Sequence, residues 1–364
     1  MAEKIATREA YGSALAEFGY KYNIIVFDAD LAEATKTIKF KKEHPDKFFD
    51  CGIAESNMLG VAAGAAAAGM IPFVSSFAMF AAGRAFEQIR NSVAYPQLNV
   101  KIGATHAGIT VGEDGATHQC LEDLALMRTI PGMVVMNPAD AVEARAAVEA
   151  AILHDGPVYM RFGRAAVPVI FDANNFKFEI GKGVILADGT DVTIAATGVM
   201  VEQALIAREL LANEGISARV VNCCTIKPID RELITKCAEE TGCIVTAEEH
   251  SVIGGFGSAV TEVLCETCPV PVLRVGTEDV FGRSGKVPPL MELYGLTAQN
   301  IVDKAKRAVA MKKYDNNEDC AHPDVCSRRA LFFTRCKLNI TFALQKYRRR
   351  RQIPLTQCYS VFTE

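Results

Sequence analysis

The chain has 364 residues, half of them hydrophobic, 23% charged and with a formal net charge of −4, which is enough for two domains with real cores and excludes disorder for most of its length. Its opening, "MAEKIATREAYGSAL", mixes charged and apolar residues and lacks the pattern of a signal peptide, so a cytoplasmic protein is expected. Twelve scattered cysteines, two of them adjacent at Cys223 and Cys224, fit reduced thiols rather than disulfides, and the lone pair Cys265 and Cys268 has no second pair at zinc spacing, so no metal site is expected there.

"TREAYGSALAEFGYKY" reads as an amphipathic helix and "NIIVFDADL" as a strand ending in acids. The uncharged run from Asn57 to Gly83 is long enough to span a bilayer on length alone. Gly69 and Pro72 interrupt it, and Ala and Gly supply little transfer energy, so the reading is a buried helix over about 55–68, a strand over about 71–75 and the start of another helix, with no membrane contact. Helical patterns at 80–94 and 139–153 lie among the strands "NVKIGATH", "MVVMN" and "PVYMRF", an alternation that implies a parallel sheet covered on both faces. Residues 167–185, with Pro168 and Gly181, have no strong period and read as a linker. A second alternating block follows: "DVTIAATG", a helix near 199–213, "SARVVN", a helix near 230–240, "CIVTAEE", a helix near 256–265 and "PVLRVG". The expected fold is therefore α/β, with two consecutive parallel-sheet domains at 1–166 and 186–311. From residue 312 onward eleven Lys and Arg face five Asp and Glu and no period persists, so 312–364 reads as a poorly ordered basic tail; Arg348 to Arg351 would suit nucleic acid or anionic lipid, but neither partner is expected.

In open parallel sheets, ligands collect beyond the carboxyl ends of the strands. Asp28 and Asp30 follow one such strand, His106 another, and Arg161 and Arg164 close a third. Between them runs "HAGITVGEDGATHQ", where Gly108, Gly112 and Gly115 let the backbone approach a ligand while His106, Asp114 and His118 supply polar heads. The loop is either a surface turn with incidental histidines or a site for a hydroxylated substrate and proton shuttling; the twelve-residue separation of His106 and His118 matches no common metal pattern. Glu55, at the mouth of the apolar stretch, is either a first-turn acid favoured by the helix dipole or a carboxyl kept dry because its proton is needed. Phe77 and Phe80 are core, or a surface on which a flat heteroaromatic stacks. The glycine-rich turn after Glu249 and His250 is weak evidence for phosphate binding.

Taken in order, "DADL", "GIAES", "SFAMF", "GITVGEDGATHQ" and the "GR" after "VYMRF" resemble the C-terminal half of transketolase, which occurs as a separate subunit in split transketolases. The resemblance covers about residues 4–311, and the loop is its most specific part. It implies transfer of a two-carbon ketol unit between sugar phosphates, in the pentose phosphate pathway, with thiamine diphosphate as cofactor. It places Glu55 on the N1′ atom of the aminopyrimidine, where sharing a proton favours the imino tautomer, and so gives the acid its reason to be buried. Phe80, with Phe77, becomes the stacking partner of the pyrimidine and Asp30 the acid near the thiazolium. His106, Asp114 and His118 bind sugar hydroxyls, His118 also assisting proton transfers, and Arg8 and Arg164 hold the substrate phosphate. The family's serine four residues after the acid of "ADL" is here Ala34, so either Thr35 substitutes or phosphate is held more weakly. The sequence contains no GDG motif for Mg²⁺ and the diphosphate, so those ligands are expected on an N-terminal partner subunit, in an α2β2 assembly. The β subunit of a 2-oxoacid dehydrogenase E1 component or a deoxyxylulose-phosphate synthase type is the runner-up, and a binding protein that has lost the reaction the third reading. The family's last domain is structural, so no catalysis is expected from the second block.

Overall fold

The computed structural model describes residues 3–316, with side chains to Lys312; the expectations for the basic tail lie outside the described residues. Strand β1 (Lys4–Ala6) leads into the helix Thr7–Phe18, and β2 (Ile24–Asp28), β3 (Phe48–Asp50), β4 (Ile71–Phe77), β5 (Lys101–Thr105), β6 (Val134–Met136) and β7 (Val158–Arg161) form a parallel sheet in the order β6-β7-β5-β4-β2-β3. β2, β5 and β7 are buried along their whole length, as befits strands with helices on both faces. On one face Tyr11, Leu15 and Phe18 of the first helix and Val148 and Ile152 of the helix Ala141–Leu153 pack on Ile24, Phe73 and Met160; on the other, Met58, Leu59 and Ala62 of the helix Glu55–Ala67 pack on Ile25 and Val74. Each such apolar side chain, fully buried, contributes about 1.5–3 kcal/mol.

β8 (Ala166–Pro168) returns antiparallel to β1, so the first residues read as linker are in fact paired, Pro168 standing at a ribbon edge where its missing N–H costs nothing. β9 (Val184–Ala187), β10 (Val192–Ala196), β11 (Ala218–Asn222), β13 (Ile244–Ser251) and β14 (Val272–Thr277) make the second sheet, in the order β14-β13-β10-β11-β9, parallel except for β9. β12 (Thr225–Lys227) leaves that block and adds antiparallel to β6 at the edge of the first sheet. Its helices follow the reading closely: Asp230 caps Arg231–Thr241 by accepting from Leu233 N–H, and Gly242 ends that helix at φ 69°.

The stretch 80–94 departs from the expected α-helix. Met79–Arg84 and Ile89–Ala94 wind as π turns around the short α segment Phe86–Gln88. The widened turn carries Arg84 back over the ring of Phe80. No helix among the described residues is long and apolar enough to cross a membrane. The carboxyl ends of β2, β4, β5 and β7 share one edge, and Asp28, Phe77, His106 and Arg161 stand along it.

Candidate active site

Glu55 opens its helix and is 2% exposed, yet it is not alone: both carboxylate oxygens accept from Arg84 Nη1, at 3.1 and 3.0 Å. The same guanidinium lies 5.0 Å from the centre of the Phe80 ring, and Phe77 and Phe80 stack at 5.8 Å and 13°. His106 stacks on Phe77 at 3.9 Å, and the edge of His118 meets Phe80 at 5.2 Å. One acid, two phenyl rings and two imidazoles thus meet at the end of β4. Arg84 was missed in the sequence; its position four residues after Phe80 in a helical stretch was the available signal.

Arg8 Nη1 donates to the Ala34 carbonyl (2.8 Å) and to His106 Nε2 (2.9 Å), so the neutral imidazole carries its proton on Nδ1, facing Thr105 Oγ1 at 3.0 Å. Burial, then the charges of Arg8 and Arg164, push His106 down to about 3. His106 also sits at φ 55°, a strained conformation for a side chain of its size. Arg164 donates to the Val111 carbonyl and lies 3.7 Å from Asp114. Arg8, Arg164 and Lys286 line a cleft of about 320 Å³ together with Thr110 and Glu113, three cations to one acid. Lys286, from the second block, was not anticipated.

The substitution of Thr35 for the absent serine does not occur. Thr35 is fully buried, and its hydroxyl donates to Asp28 Oδ2 (2.8 Å), a carboxylate that also accepts from Thr37 Oγ1 (2.8 Å) and Leu31 N–H (2.7 Å). Asp28 therefore ties down the turn beyond β2, and burial pushes its carboxyl up to about 6. Asp30, exposed at φ 60°, reaches the same edge of the sheet, its N–H held by Asp50 at 3.1 Å. Arg161 also stands apart from Arg164: it is 2% exposed and bound to Asp123 at 2.9 Å, inside the junction between the two sheets. Among the described residues no three His, Cys, Asp or Glu side chains gather as a metal would require.

The match to known proteins agrees with this arrangement. The transketolase pyrimidine-binding domain model covers residues 3–169 and the transketolase C-terminal domain model residues 181–301. The chain belongs to the transketolase family. That family is thiamine diphosphate-dependent. A Methanocaldococcus jannaschii protein provisionally named transketolase C-terminal section is 52% identical over 310 residues, 84% of this chain and 96% of the relative. A 6-deoxy-6-sulfo-D-fructose transketolase subunit from Clostridium sp. is 47% identical over 308 residues, 84% of this chain and 95% of the relative. A solved structure described as a split gene transketolase, inactive beta4 tetramer, superposes with a TM-score of 0.79 at 55% identity, spanning 85% of this chain and all of that one.

Proposed function

We propose that this chain is the C-terminal subunit of a two-chain transketolase that moves a two-carbon ketol unit from a ketose phosphate to an aldose phosphate, and that it is complete only with an N-terminal partner carrying the GDG motif. The observation that carries this reading is the gathering of Glu55, Phe80 and the ring of His106, itself bonded to Arg8, with Arg8 and Arg164 lining the adjoining cleft. The residues fit the pyrimidine half of thiamine diphosphate. Arg84 already presents to Glu55 and Phe80 a planar group with N–H donors that lies over the ring and bonds the acid, the same demands an aminopyrimidine satisfies. Because the Arg84 side chain is 54% exposed, it can swing into solvent as the heterocycle enters. The diphosphate and Mg²⁺ would rest on the partner.

When bound, the cofactor would supply a carbon acid whose deprotonated form is the nucleophile and carrier for the two-carbon unit. Glu55, buried at the start of its helix, would share a proton with N1′ and so favour the imino form, whose 4′-nitrogen is the base. Phe77 and Phe80 would hold the pyrimidine ring by stacking, and Asp30, at the carboxyl edge of the sheet, would be the acid on the thiazolium side. His118, resting on Phe80, exchanges protons with the sugar hydroxyls. His106, neutral and with its ring nitrogens engaged by Arg8 and Thr105, steadies Arg8 at the cleft without adding a charge of its own. Arg8 and Arg164 grip the anionic end, with Asp114 orienting Arg164. A cleft of this charge takes a phosphate or a sulfonate, and two arginine forks match either.

Initial rates of the assembled complex with phosphorylated ketoses, a sulfonated ketose and 2-oxo acids test the reading. Ketol transfer from sugar phosphates is expected. Decarboxylation of 2-oxo acids with no ketol transfer would replace transketolase by an E1-type β subunit.

A further inference from the structure

The second sheet reaches into the loop that carries His106, Asp114 and His118. The loop is closed at its base, where Gly108 N–H donates to the Cys120 carbonyl at 2.9 Å. The end of β13 is set against both arms: Ser251 N–H donates to the Leu121 carbonyl (2.9 Å), and Glu249 Oε1 accepts from Thr110 N–H (2.6 Å). Glu249 is 1% exposed, and Gly108 lies flush on it: a Cβ there would fall 2.3 Å from the carboxyl carbon. Arg161 holds the strand end in place, donating to the Glu249 carbonyl (2.9 Å) and the Cys120 carbonyl (3.3 Å). A second segment of the same block secures the tip, with Ser284 Oγ donating to the Glu113 carbonyl (2.5 Å) and Gln119 Nε2 to the Arg283 carbonyl (2.9 Å).

Gly108, Gly112 and Gly115 all stand at φ near 80°, so the 3-10 stretch Ile109–Asp114 turns at both ends and in its middle, and its set depends on the bonds that hold it to the second sheet. A carboxylate buried at a junction is costly, the more so because Glu249 Oε2 has no hydrogen-bond partner among the described residues and lies 3.9 Å from Arg161. An apolar side chain would pack there as well. What it could not do is accept the Thr110 amide.

We propose that Glu249 is a positioning residue for the substrate loop: by accepting the Thr110 N–H it fixes the arm that presents Asp114 to Arg164, and so gives the C-terminal domain a part in substrate binding rather than in stability alone. The transketolase reading supplies the identity of the substrate; the clamp stands on the hydrogen bonds.

Two measurements on variants test it. Glu249→Met keeps the volume and removes the acceptor, whereas Glu249→Gln keeps an oxygen for Thr110; Glu249→Ala serves if the methionine variant does not fold. In the lone chain, Glu249→Met should speed hydrogen exchange of amides 109–114 by about tenfold or more while β2 and β4 stay protected, and Glu249→Gln should exchange at the wild-type rate. In the complex with the partner subunit, Glu249→Met should raise KM for the phosphorylated sugar about tenfold with thiamine diphosphate affinity changed less than about twofold, and Glu249→Gln should stay within about threefold of wild type. KM does not depend on how much protein is folded, so a purely structural role would lower the thermal midpoint and leave KM alone. Unchanged exchange in Glu249→Met overturns the clamp, and faster exchange with unchanged KM overturns its role in substrate binding. A wild-type complex without ketol transfer would overturn the transketolase reading while the exchange result stood.

Discussion

Glu55→Gln separates the two explanations for an acid at that place. Both carboxylate oxygens of the buried Glu55 accept from Arg84, whose side chain is 54% exposed, so water screens the pair from the arginine side and it contributes on the order of 1 kcal/mol to stability. The amide keeps one acceptor and turns its NH₂ towards the guanidinium. The expected loss is about 1 kcal/mol, a few degrees in Tm. The catalytic loss is a different size: an amide cannot share a proton with N1′, and removal of a general acid–base group lowers kcat by roughly 10²-fold, about 2.7 kcal/mol of barrier. The assay is the exchange rate of the C2 proton of thiamine diphosphate in the assembled complex, wild type against Glu55→Gln, with kcat measured at saturating cofactor. Slowed exchange with a nearly intact Tm is expected. Unchanged exchange would mean that the acid is a helix-start residue with no part in activating the cofactor.

Arg8→Ala and Arg164→Ala should raise KM for phosphorylated sugars about tenfold to a hundredfold and affect non-phosphorylated acceptors much less; equal losses on both, in steady-state kinetics, would remove these arginines from the anion site. Arg161→Met leaves Asp123 and Glu249 without their shared cation and should cost about 3–5 kcal/mol in denaturant unfolding, against less than about 1 kcal/mol if the junction tolerates unpaired acids. His106 is held at about 3 in the fold by burial and by Arg8 and Arg164, against about 6.5 unfolded, so between those values only the unfolded chain takes the proton. Its stabilising contribution is complete above about pH 6.5 and is lost as pH falls, so between about pH 7.5 and 5 wild type should lose about 2 kcal/mol more than His106→Asn; equal losses would contradict the burial argument.

Much of the fold could be read from the sequence because local signals carried it. The helical patterns near 230–240 and 256–265 fell within a residue or so of Arg231–Thr241 and Phe256–Glu266, and the alternation of strands and helices implied a sheet covered on both faces. β12 was not legible: three residues after a cysteine pair carry no period, and their pairing with β6 is decided by a partner far away in the chain. The π turns at 79–94 were hidden for a related reason, since alanine-rich spacing fits more than one pitch. At the site, residues singled out in "HAGITVGEDGATHQ" lie together, His106 stacked on Phe77, His118 edge-on to Phe80, and Asp114 against Arg164. Thr35 misled because a hydroxyl in the right place along the chain says nothing about which way it faces, and Asp28 had already drawn it inward. Glu249 and Thr110 are 139 residues apart, and no local pattern joins them.

The most direct test of the two-chain account is calorimetric titration of thiamine diphosphate with Mg²⁺ into this chain, into its GDG-bearing partner and into their equimolar mixture, followed by ketol-transfer assays of the same three samples. Tight Mg²⁺-dependent binding and transfer in the mixture alone are predicted. Tight binding and full turnover by this chain without its partner would contradict the account.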